Sequence, residues 1–216
     1  MDTQTSSAVT VATNPATGEV FAEYPLNTVE DVMTAVKNAR LAQPAWQALP
    51  LKTRRKYVMK FAEYIQKHST ELSETISKDN GKTVGDAMFT EVMPAALATG
   101  YYCKNAARFL KDRKLKSGNI MMMYKRSRIV RVPYGVVAII SPWNYPFSIP
   151  FSEVVMALLA GNAVILKTAS ETQAVGHALK ACVEYAGLPE HVFTYVNLPG
   201  SKAGDAIIDA GVDKLF

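Results

Sequence analysis

The sequence predicts an α/β protein in which N-terminal helices and an extended ribbon precede a doubly wound parallel sheet that is incomplete. Two observations carry this prediction. The residues before position 133 repeat mostly at helical spacing, whereas short β-branched runs alternate with helical segments after it. A basic stretch rich in strand-forming residues separates the two patterns. We therefore divide the chain into a helical region, residues 1–132, and a partial sheet domain, residues 133–216.

Composition places the 216-residue chain among globular proteins, because 49% of its residues are hydrophobic and 20% are charged. No apolar run reaches the roughly 18 residues that a membrane-spanning helix needs. The N-terminus has no basic start followed by an apolar segment, so it is interpreted as a polar tail without a secretory signal. Two cysteines do not suggest a disulfide framework, and we expect a cytoplasmic protein that binds no membrane.

Charge is concentrated in residues 104–131, which hold ten Lys or Arg and one acid, Asp112. This segment carries +9 against +5 for the whole chain, so the remainder carries −4. A basic segment can bind nucleic acid or another polyanion, and a solvated hairpin with outward basic side chains is the alternative. No nucleic-acid-binding motif accompanies the charge, so we expect no nucleic-acid partner.

The first helix is predicted from Thr28, which stands at capping-box spacing from Asp31. Its apolar positions repeat at helical spacing: Val29, Val32, Val36 and Ala39. Pro44 is expected to end or bend this helix, because proline lacks the amide hydrogen of a helical residue.

Two further helical patterns follow. In "LKTRRKYVMKFAEYIQKH" one face carries Tyr57, Val58, Phe61 and Ile65. The basic residues are predicted to lie largely on the other face: Arg54, Arg55, Lys56 and Lys60. A third pattern runs from about Thr83 to Leu110, with Pro94 as a kink or near the start.

The stretch "MMMYKRSRIVRV" is predicted to be an extended ribbon, residues 115–132, because it alternates and is rich in strand formers. Its consecutive methionines are interpreted as packing or interface residues, since neighbours in a strand face opposite sides. No metal site is expected, because the three histidines lack metal-pair spacing. The "DNGKT" stretch lacks the first glycine of a phosphate-binding loop, and Gly81 is read as a helix stop.

After residue 133, strands and helices alternate with short links. The predicted strands are "GVVAII", "AVILK", "HVFTYV" and "DKLF", and the helices between them are "FSEVVMALLAG", "SETQAVGHALKACVEYAG" and "GSKAGDAIIDAG". Gly161 and Gly187 are predicted helix stops, and Ser170 a plausible helix cap. Ligands of such sheets bind beyond the carboxyl ends of the strands. Asn144, Lys167 and Gly200 each follow a strand, so we expect them at one rim.

Asn144 lies in an unusual setting, since "PWNYP" holds it between two prolines and two aromatic residues. Taken alone, the pattern also fits a turn in which the amide bonds its own backbone. The wider stretch "VPYGVVAIISPWNYPFSIPFSEVVMALLAGNAVILK" resembles the aldehyde dehydrogenase superfamily, and "GLPEHVFTYVNLPG" and "NPATGEV" continue the likeness over nearly the whole chain. The resemblance is to the N-terminal portion of these enzymes and implies a Rossmann-like cofactor-binding domain.

The resemblance implies that Asn144 is catalytic. Its amide would help bind the oxyanion that forms when a cysteine thiolate adds to an aldehyde. It also implies a set of cofactor-binding residues: Ser141, Pro142, Trp143, Lys167, Ser170, Glu171, Gly200 and Ser201. Lys167 would bond the hydroxyls of the adenosine ribose, and Gly200 and Ser201 would bring backbone N–H groups close to the cofactor.

The cofactor is expected to be NADP or NAD, with NADP favoured. At the position where the family often has a ribose-binding Glu, this chain has Ser170, with Glu171 one residue later. A carboxylate repels a 2′-phosphate, whereas a hydroxyl can donate a hydrogen bond to it. The alternatives are that Ser170 only caps the next helix, or that Glu171 turns inward.

The ribbon resembles the family's oligomerisation hairpin, so a homo-oligomer, dimer or tetramer, is expected. The family's general-base Glu and nucleophilic Cys contexts are absent, and Cys103 and Cys182 are interpreted as packing residues. We therefore expect an N-terminal portion that does not oxidise its small aldehyde substrate alone. The alternatives are a non-catalytic nucleotide-binding or assembly protein of the same fold, and a polyanion-binding protein.

Overall fold

The computed structural model describes residues 8–216. The strands are β1 (Val9–Thr13), β2 (Val20–Pro25), β3 (Arg113–Leu115), β4 (Ser127–Ile129), β5 (Val136–Ile140), β6 (Ala163–Lys167), β7 (Phe193–Tyr195) and β8 (Lys214–Leu215). The α-helices are α1 (Val29–Ala48), α2 (Leu51–Lys67), α3 (Ser69–Asn80), α4 (Val84–Ala87), α5 (Met93–Phe109), α6 (Ser148–Ala160), α7 (Gln173–Tyr185) and α8 (Gly200–Asp209).

The central sheet has four parallel strands in the order β7-β6-β5-β8. The predicted α/β fold with a parallel sheet is thereby confirmed. The chain moves from β5 through β6 to β7 and then crosses to the other side of β5. The strand order therefore reverses beside β5, and ligand crevices of such sheets open beyond the carboxyl ends of the strands at this point.

Alternate residues of the buried strands pack into two apolar clusters on opposite faces of the sheet. Val137 and Leu166 belong to the cluster that also contains residues of α2, α5, α6 and α7. Ala138 and Ile165 belong to the other cluster, with residues of α1 and α8. The first cluster contains residues from both sides of position 133, and the division into two domains stays a prediction.

The capping box of α1 is confirmed, since the Thr28 side chain and the Asp31 side chain each accept the other's backbone N–H. The helix does not end at Pro44, as one expectation had it, but continues to Ala48. Contacts beyond the proline account for this. Trp46 is buried, and its Nε1–H donates to the carbonyl of Leu158 at 3.0 Å. Burial of this side chain offsets the backbone hydrogen bond that proline removes.

The prediction that Arg54 lies on the solvent face of α2 is wrong. Its side chain is buried, with the residue only 8% exposed, and donates to the carbonyls of Gln47, Leu49 and Leu159. These carbonyls follow or end helices, where no intrahelical donor reaches them. The guanidinium has enough donors in a fixed fork to bond all three at once.

The third helical pattern is interrupted by a change of helix type. A π-helical turn, Met88–Val92, joins α4 to α5, and Pro94 lies in the first turn of α5. The missing N–H of proline costs little at that position. The predicted polar tail is wrong for the part described here, because β1 and β2 form an antiparallel hairpin. Asn197 holds this hairpin by donating to the carbonyl of Pro25 at 3.0 Å.

The ribbon is confirmed as an antiparallel hairpin of β3 and β4. The consecutive methionines do not lie in a strand, however, because a 3₁₀ turn, Ile120–Met122, occupies the tip. Ile120 is 78% exposed and Met121 is 77% exposed. In the part of the chain that the structure describes, no helix is long and apolar enough to cross a membrane.

Two helices of the sheet domain end at or near the predicted glycines. Gly161 ends α6 with a φ of 96°, and Gly187 follows α7 with a φ of 65°. The prediction that Ser170 caps α7 is wrong: the helix begins at Gln173, and Ser170 opens a separate 3₁₀ turn, Ser170–Thr172.

Candidate active site

The turn after β5 carries the predicted catalytic asparagine. Ile140 pairs with Lys167, the last residue of β6, and the backbone N–H of Ser141 donates to the carbonyl of Lys167 at 2.9 Å. Ser141 is buried, whereas Pro142 and Asn144 are exposed. The structure thus places the predicted residues of two strand ends at the same edge of the sheet.

Asn144 has a defined orientation. The backbone N–H of Tyr145 donates to Oδ1 of Asn144 at 3.0 Å. Only the amide oxygen can accept this hydrogen bond, so the N–H₂ group must lie on the other side of the side chain. Within residues 8–216 the Nδ2 donates to no protein acceptor. The local bond expected of a turn asparagine is present, and it leaves both amide hydrogens available to a ligand.

Residues from outside the turn hold its backbone. Asn80 Nδ2 donates to the carbonyl of Trp143 at 2.8 Å, and Lys82 Nζ donates to the carbonyl of Asn144 at 3.0 Å. The carboxylate of Glu91 accepts from Lys82 Nζ. Sequence reasoning assigned no role to these three residues: Asn80 and Lys82 lie in "DNGKT", interpreted as a helix stop, and Glu91 lies inside the third helical pattern. That interpretation is itself confirmed, since Gly81 follows α3 with a φ of 85°.

Lys167 is a largely buried lysine whose ammonium group has no protein partner within residues 8–216. The residue is 4% exposed, and Nζ has no hydrogen-bond acceptor among the residues that the structure describes. Desolvation lowers the pKa of Lys167, and the negative charge of Glu171 partly opposes this. The Nζ atom itself still reaches solvent at the end of the buried stem, so a ligand bearing hydroxyl or phosphate oxygens would find a donor here.

Backbone of α8 lies next to this lysine. A Cβ at Gly200 would lie 3.8 Å from Lys167 Nζ, so the two residues are neighbours. Gly200 and Ser201 are exposed and form the first turn of the ten-residue helix α8. Their N–H groups have no intrahelical acceptor, and the end of the helix dipole favours negative charge. An unpaired cation beside this open helix end suits a nucleotide ligand.

Ser170 and Glu171 differ in their surroundings. Ser170 is half-buried and Glu171 is exposed. Glu171 lies with Trp143 in the lining of a cavity of about 370 Å³, which also includes Val11, Thr13, Pro15, Asp79, Asn80 and Thr172. The structure thus brings two predicted cofactor residues together, while Asn144 and Lys167 lie outside this lining.

Neither cysteine suits a nucleophile. Cys103 and Cys182 are both buried. Burial raises the pKa of the Cys103 thiol to about 11 and raises the pKa of the Cys182 thiol further. A thiolate is therefore disfavoured at either position. Among residues 8–216 no cluster of side chains could hold a metal ion.

Known proteins show the same sequence pattern and fold. Residues 2–215 match the sequence model of the aldehyde dehydrogenase family. N-succinylglutamate 5-semialdehyde dehydrogenase of Novosphingobium aromaticivorans is 36% identical over 92% of this chain and 40% of its own length.

Two solved structures superimpose closely on the chain. An NAD-dependent benzaldehyde dehydrogenase from Corynebacterium glutamicum has a TM-score of 0.85 and 32% identity, covering 96% of this chain and 44% of that one. An NADP-dependent enzyme from E. coli has a TM-score of 0.85 and 27% identity, covering 92% and 40%. The chain spans less than half the length of these relatives. With a family match over nearly all of its residues and the same fold, the chain belongs to the aldehyde dehydrogenase family.

Proposed function

We propose that this chain supplies the oxyanion donor and part of the cofactor site for NAD(P)-dependent oxidation of an aldehyde to a carboxylic acid. The observation that carries the proposal is the orientation of Asn144, whose Oδ1 accepts from Tyr145 N–H while its Nδ2 donates to no acceptor among residues 8–216. Family membership supports the reaction class. Two of the relatives described above are named as dehydrogenases of an aldehyde, and the third is named as an NADP-dependent enzyme.

The asparagine would act on charge that develops during the reaction. When a thiolate adds to an aldehyde, the carbonyl oxygen becomes negative. A neutral N–H donor already aimed at that position stabilises the charge without reorganising. Loss of one such donor typically costs about 100-fold to 1000-fold in turnover. An amide suits the role because it donates at every pH at which the protein is folded.

Lys167 and the first turn of α8 would hold the nucleotide. The ammonium of Lys167 would donate to the ribose hydroxyls, and the N–H groups of Gly200 and Ser201 would face the adenosine side. Trp143, which is 61% exposed, and the neighbouring Ser141 and Pro142 would complete this edge of the site. When bound, the nicotinamide supplies the hydride acceptor.

NADP is the cofactor that we favour over NAD. Ser170 does not cap α7, so its hydroxyl has no structural task in that helix. It therefore remains able to bond a 2′-phosphate. Glu171 is the competing feature, because its charge near the same ribose would repel a phosphate.

The chain alone would not turn over aldehydes, since both of its thiols are buried with raised pKa values. The exposed ribbon, residues 115–132, would join copies of the protein into a dimer or tetramer. A non-catalytic nucleotide-binding or assembly role fits the same cofactor residues. The chimera described below separates the two roles, because only the catalytic role requires Asn144 for its turnover. We propose a small aldehyde as the substrate and do not identify it further.

The nucleotide half of the proposal can be tested on the chain itself. ADP-ribose and its 2′-phosphorylated form are titrated into ¹⁵N-labelled protein, and the amide shifts of Gly200 and Ser201 are followed. We expect weak binding, tighter for the 2′-phosphorylated form, which Lys167→Met abolishes and Lys180→Met on α7 does not. Unperturbed Gly200 and Ser201 amides at millimolar ligand would contradict the site, and tighter binding of ADP-ribose would contradict the NADP preference.

The catalytic half needs a nucleophile. A chimera is made in which residues 1–216 replace the matching part of the Novosphingobium aromaticivorans dehydrogenase. We expect Asn144→Ala to lower its turnover by about 100-fold or more. Unchanged turnover in the variant would remove Asn144 from the mechanism.

A further inference from the structure

We propose that Lys82 and Glu91 are positioning residues: their ion pair fixes the peptide plane between Asn144 and Tyr145 and thereby aims the Asn144 amide. The catalytic meaning of this proposal rests on the proposed function. The structural part of the proposal, that the ion pair restrains the motion of the Asn144 amide, is independent of the proposed function.

Glu91 anchors the pair to the start of α6. Its side chain is fully buried and accepts from the backbone N–H groups of Phe147 at 2.7 Å and Ser148 at 3.3 Å. No side chain of α6 itself caps that helix. The carboxylate therefore supplies the acceptors that the helix start lacks and places negative charge at the positive end of its dipole.

Lys82 connects Glu91 to the turn that contains Asn144. Nζ bonds the second carboxylate oxygen of Glu91, donates to the carbonyl of Asn144 at 3.0 Å and lies 4.6 Å from the centroid of the Tyr145 ring. The lysine side chain is only 15% exposed, so water competes poorly for these contacts. One ammonium group thus contacts both residues of the peptide unit that carries the proposed oxyanion donor.

The peptide unit between Asn144 and Tyr145 is held at both ends. Lys82 bonds its carbonyl oxygen, and Oδ1 of Asn144 bonds its N–H. In a planar trans peptide the N–H points opposite to the carbonyl, so holding the carbonyl also sets the direction from which Oδ1 must accept the N–H. Because Oδ1 and Nδ2 share one planar amide, the ion pair also determines where Nδ2 points.

Glu91 lies within a π-helical turn, on the side opposite to the exposed Phe89. Met88–Val92 contains wider hydrogen-bonded rings than the α-helical turns on either side. Residues on the two sides of such a turn lose their regular helical phase. Phe89, two residues earlier, is 67% exposed, while Glu91 is fully buried. Turns of this kind are frequent at functional sites.

The test uses the labelled chain without substrate. Hydrogen exchange of the Tyr145 amide and the heteronuclear NOE of the Asn144 side-chain amide are measured in wild type and in Lys82→Met. Methionine keeps the aliphatic stem and removes the charge and the donor. We expect Tyr145 exchange to accelerate by about fivefold or more and the Asn144 NOE to fall.

Two variants serve as controls. Lys82→Arg keeps the charge and a donor, so it should retain wild-type values. Lys78→Met removes a lysine that lies 4.6 Å from the Phe21 ring centroid, the same cation–π distance at a place away from the turn. That variant should leave both signals unchanged although it loses a comparable contact.

A folded Lys82→Met protein with wild-type Tyr145 exchange and Asn144 NOE would overturn the proposal. If Lys82→Met does not fold, Glu91→Gln is measured in its place, because it keeps size and an acceptor oxygen while removing the charge. Unchanged signals in that variant would overturn the proposal equally. Failure here leaves the effect of Asn144→Ala on the chimera's turnover untouched, so the two proposals fail separately.

Discussion

The carboxylate of Asp79, near the end of α3, accepts a hydrogen bond at 2.9 Å from the backbone N–H of Val175 in the first turn of α7. Thr172, which precedes α7, makes no side-chain cap of its own. Asp79 therefore caps a helix that lies far away in sequence. Its second oxygen, Oδ1, is buried without a partner among the described residues.

This arrangement predicts a pH-dependent stability. Burial raises the pKa of Asp79 from 3.8 to about 6, against the opposing hydrogen bonds from Val175 and Ala174. A raised pKa means that the folded protein holds the proton more tightly. The stabilisation is thus complete below pH 3.8 and is lost as pH rises through about 6. It amounts to roughly 3 kcal/mol.

Urea unfolding of wild type and Asp79→Asn between pH 4 and 7 measures this effect. The wild-type free energy of unfolding should fall relative to that of the variant as pH rises, because other titrating groups are common to both proteins. Asp31→Asn is the control, and its curve should stay parallel to that of wild type between pH 4 and 7. A backbone hydrogen bond from Thr28 lowers the Asp31 pKa, so its contribution is lost only as pH falls below 3.8. Parallel curves for wild type and Asp79→Asn would contradict the prediction.

Arg54 should be costly to replace. Its guanidinium bonds carbonyls at the ends of α1 and α6, including that of Leu49 at 2.6 Å. Arg54→Met would fill similar space but leave these carbonyls unpaired, and we expect a loss of about 3 kcal/mol in the free energy of unfolding. Lys56→Met on the exposed side of α2 is the matched control and should change stability by less than about 0.5 kcal/mol. Equal midpoints in urea would show that the buried guanidinium contributes little.

Two helical glycines should respond to alanine in opposite directions. A Cβ at Gly176 in α7 would lie 2.2 Å from the Tyr195 hydroxyl and 2.4 Å from Thr168 Oγ1. These two side chains bond each other at 2.8 Å, so Gly176→Ala must break a buried pair. We expect it to destabilise the protein by about 2 kcal/mol.

Gly204 in α8 has no atom within 4 Å of the position where a Cβ would lie. Gly204→Ala should raise the free energy of unfolding by about 0.5–1 kcal/mol, because alanine loses less backbone entropy in a helix. Thermal unfolding of both variants provides the measurement. A stabilising Gly176→Ala would contradict the packing around Gly176, and a destabilising Gly204→Ala would contradict the open space at Gly204.

The ribbon tip should control self-association. Met121 and Met123 are 77% and 69% exposed, next to Met122 and Tyr124. Exposed apolar groups at this density favour contact with another protein surface. Sedimentation velocity of the chain should show a concentration-dependent dimer or larger species that the triple change of residues 121–123 to Ser weakens by at least about tenfold.

Met33→Ser on α1 removes a methionine that is 49% exposed outside the ribbon, and it should leave the association constant unchanged. A monomer at all concentrations in wild type would contradict the ribbon's proposed role in this chain. Equal weakening by both variants would instead indicate unspecific apolar contact.

The parallel sheet could be predicted because its information is local. Each buried strand is a short β-branched run, and Gly161 ends the helix between two of them with a positive φ that other residues rarely adopt. The capping box at Thr28 is likewise contained within four residues. Asn144 and Lys167 could be placed at one edge of this sheet because each follows a strand, and the resemblance of "PWNYP" and "ALLAGNAVILK" to one family implied their roles.

What was missed depends on partners distant in sequence. Arg54 looks like one more basic residue until the carbonyl ends of two other helices surround it. Glu91 looks like any other glutamate of a helix until its contacts with the backbone N–H groups at the start of α6 are known. The hairpin of β1 and β2 has mostly exposed or half-exposed residues, so its periodicity carries little signal. Such residues are identified by the tertiary structure, because their own neighbours do not specify their role.

The hydrogen bond between Ser141 N–H and the Lys167 carbonyl also limits how this protein can vary. Lys167, assigned to the ribose, is the last paired residue of β6, and the turn that carries Asn144 begins at the backbone hydrogen bond to its carbonyl. Sliding β6 by a single position against β5 would turn Lys167 toward the opposite face and break the rung that starts the Asn144 turn. The backbone pairing of β5 and β6 sets the distance between Asn144 and Lys167. A different substrate or coenzyme must therefore be accommodated by changes in the side chains around these two residues.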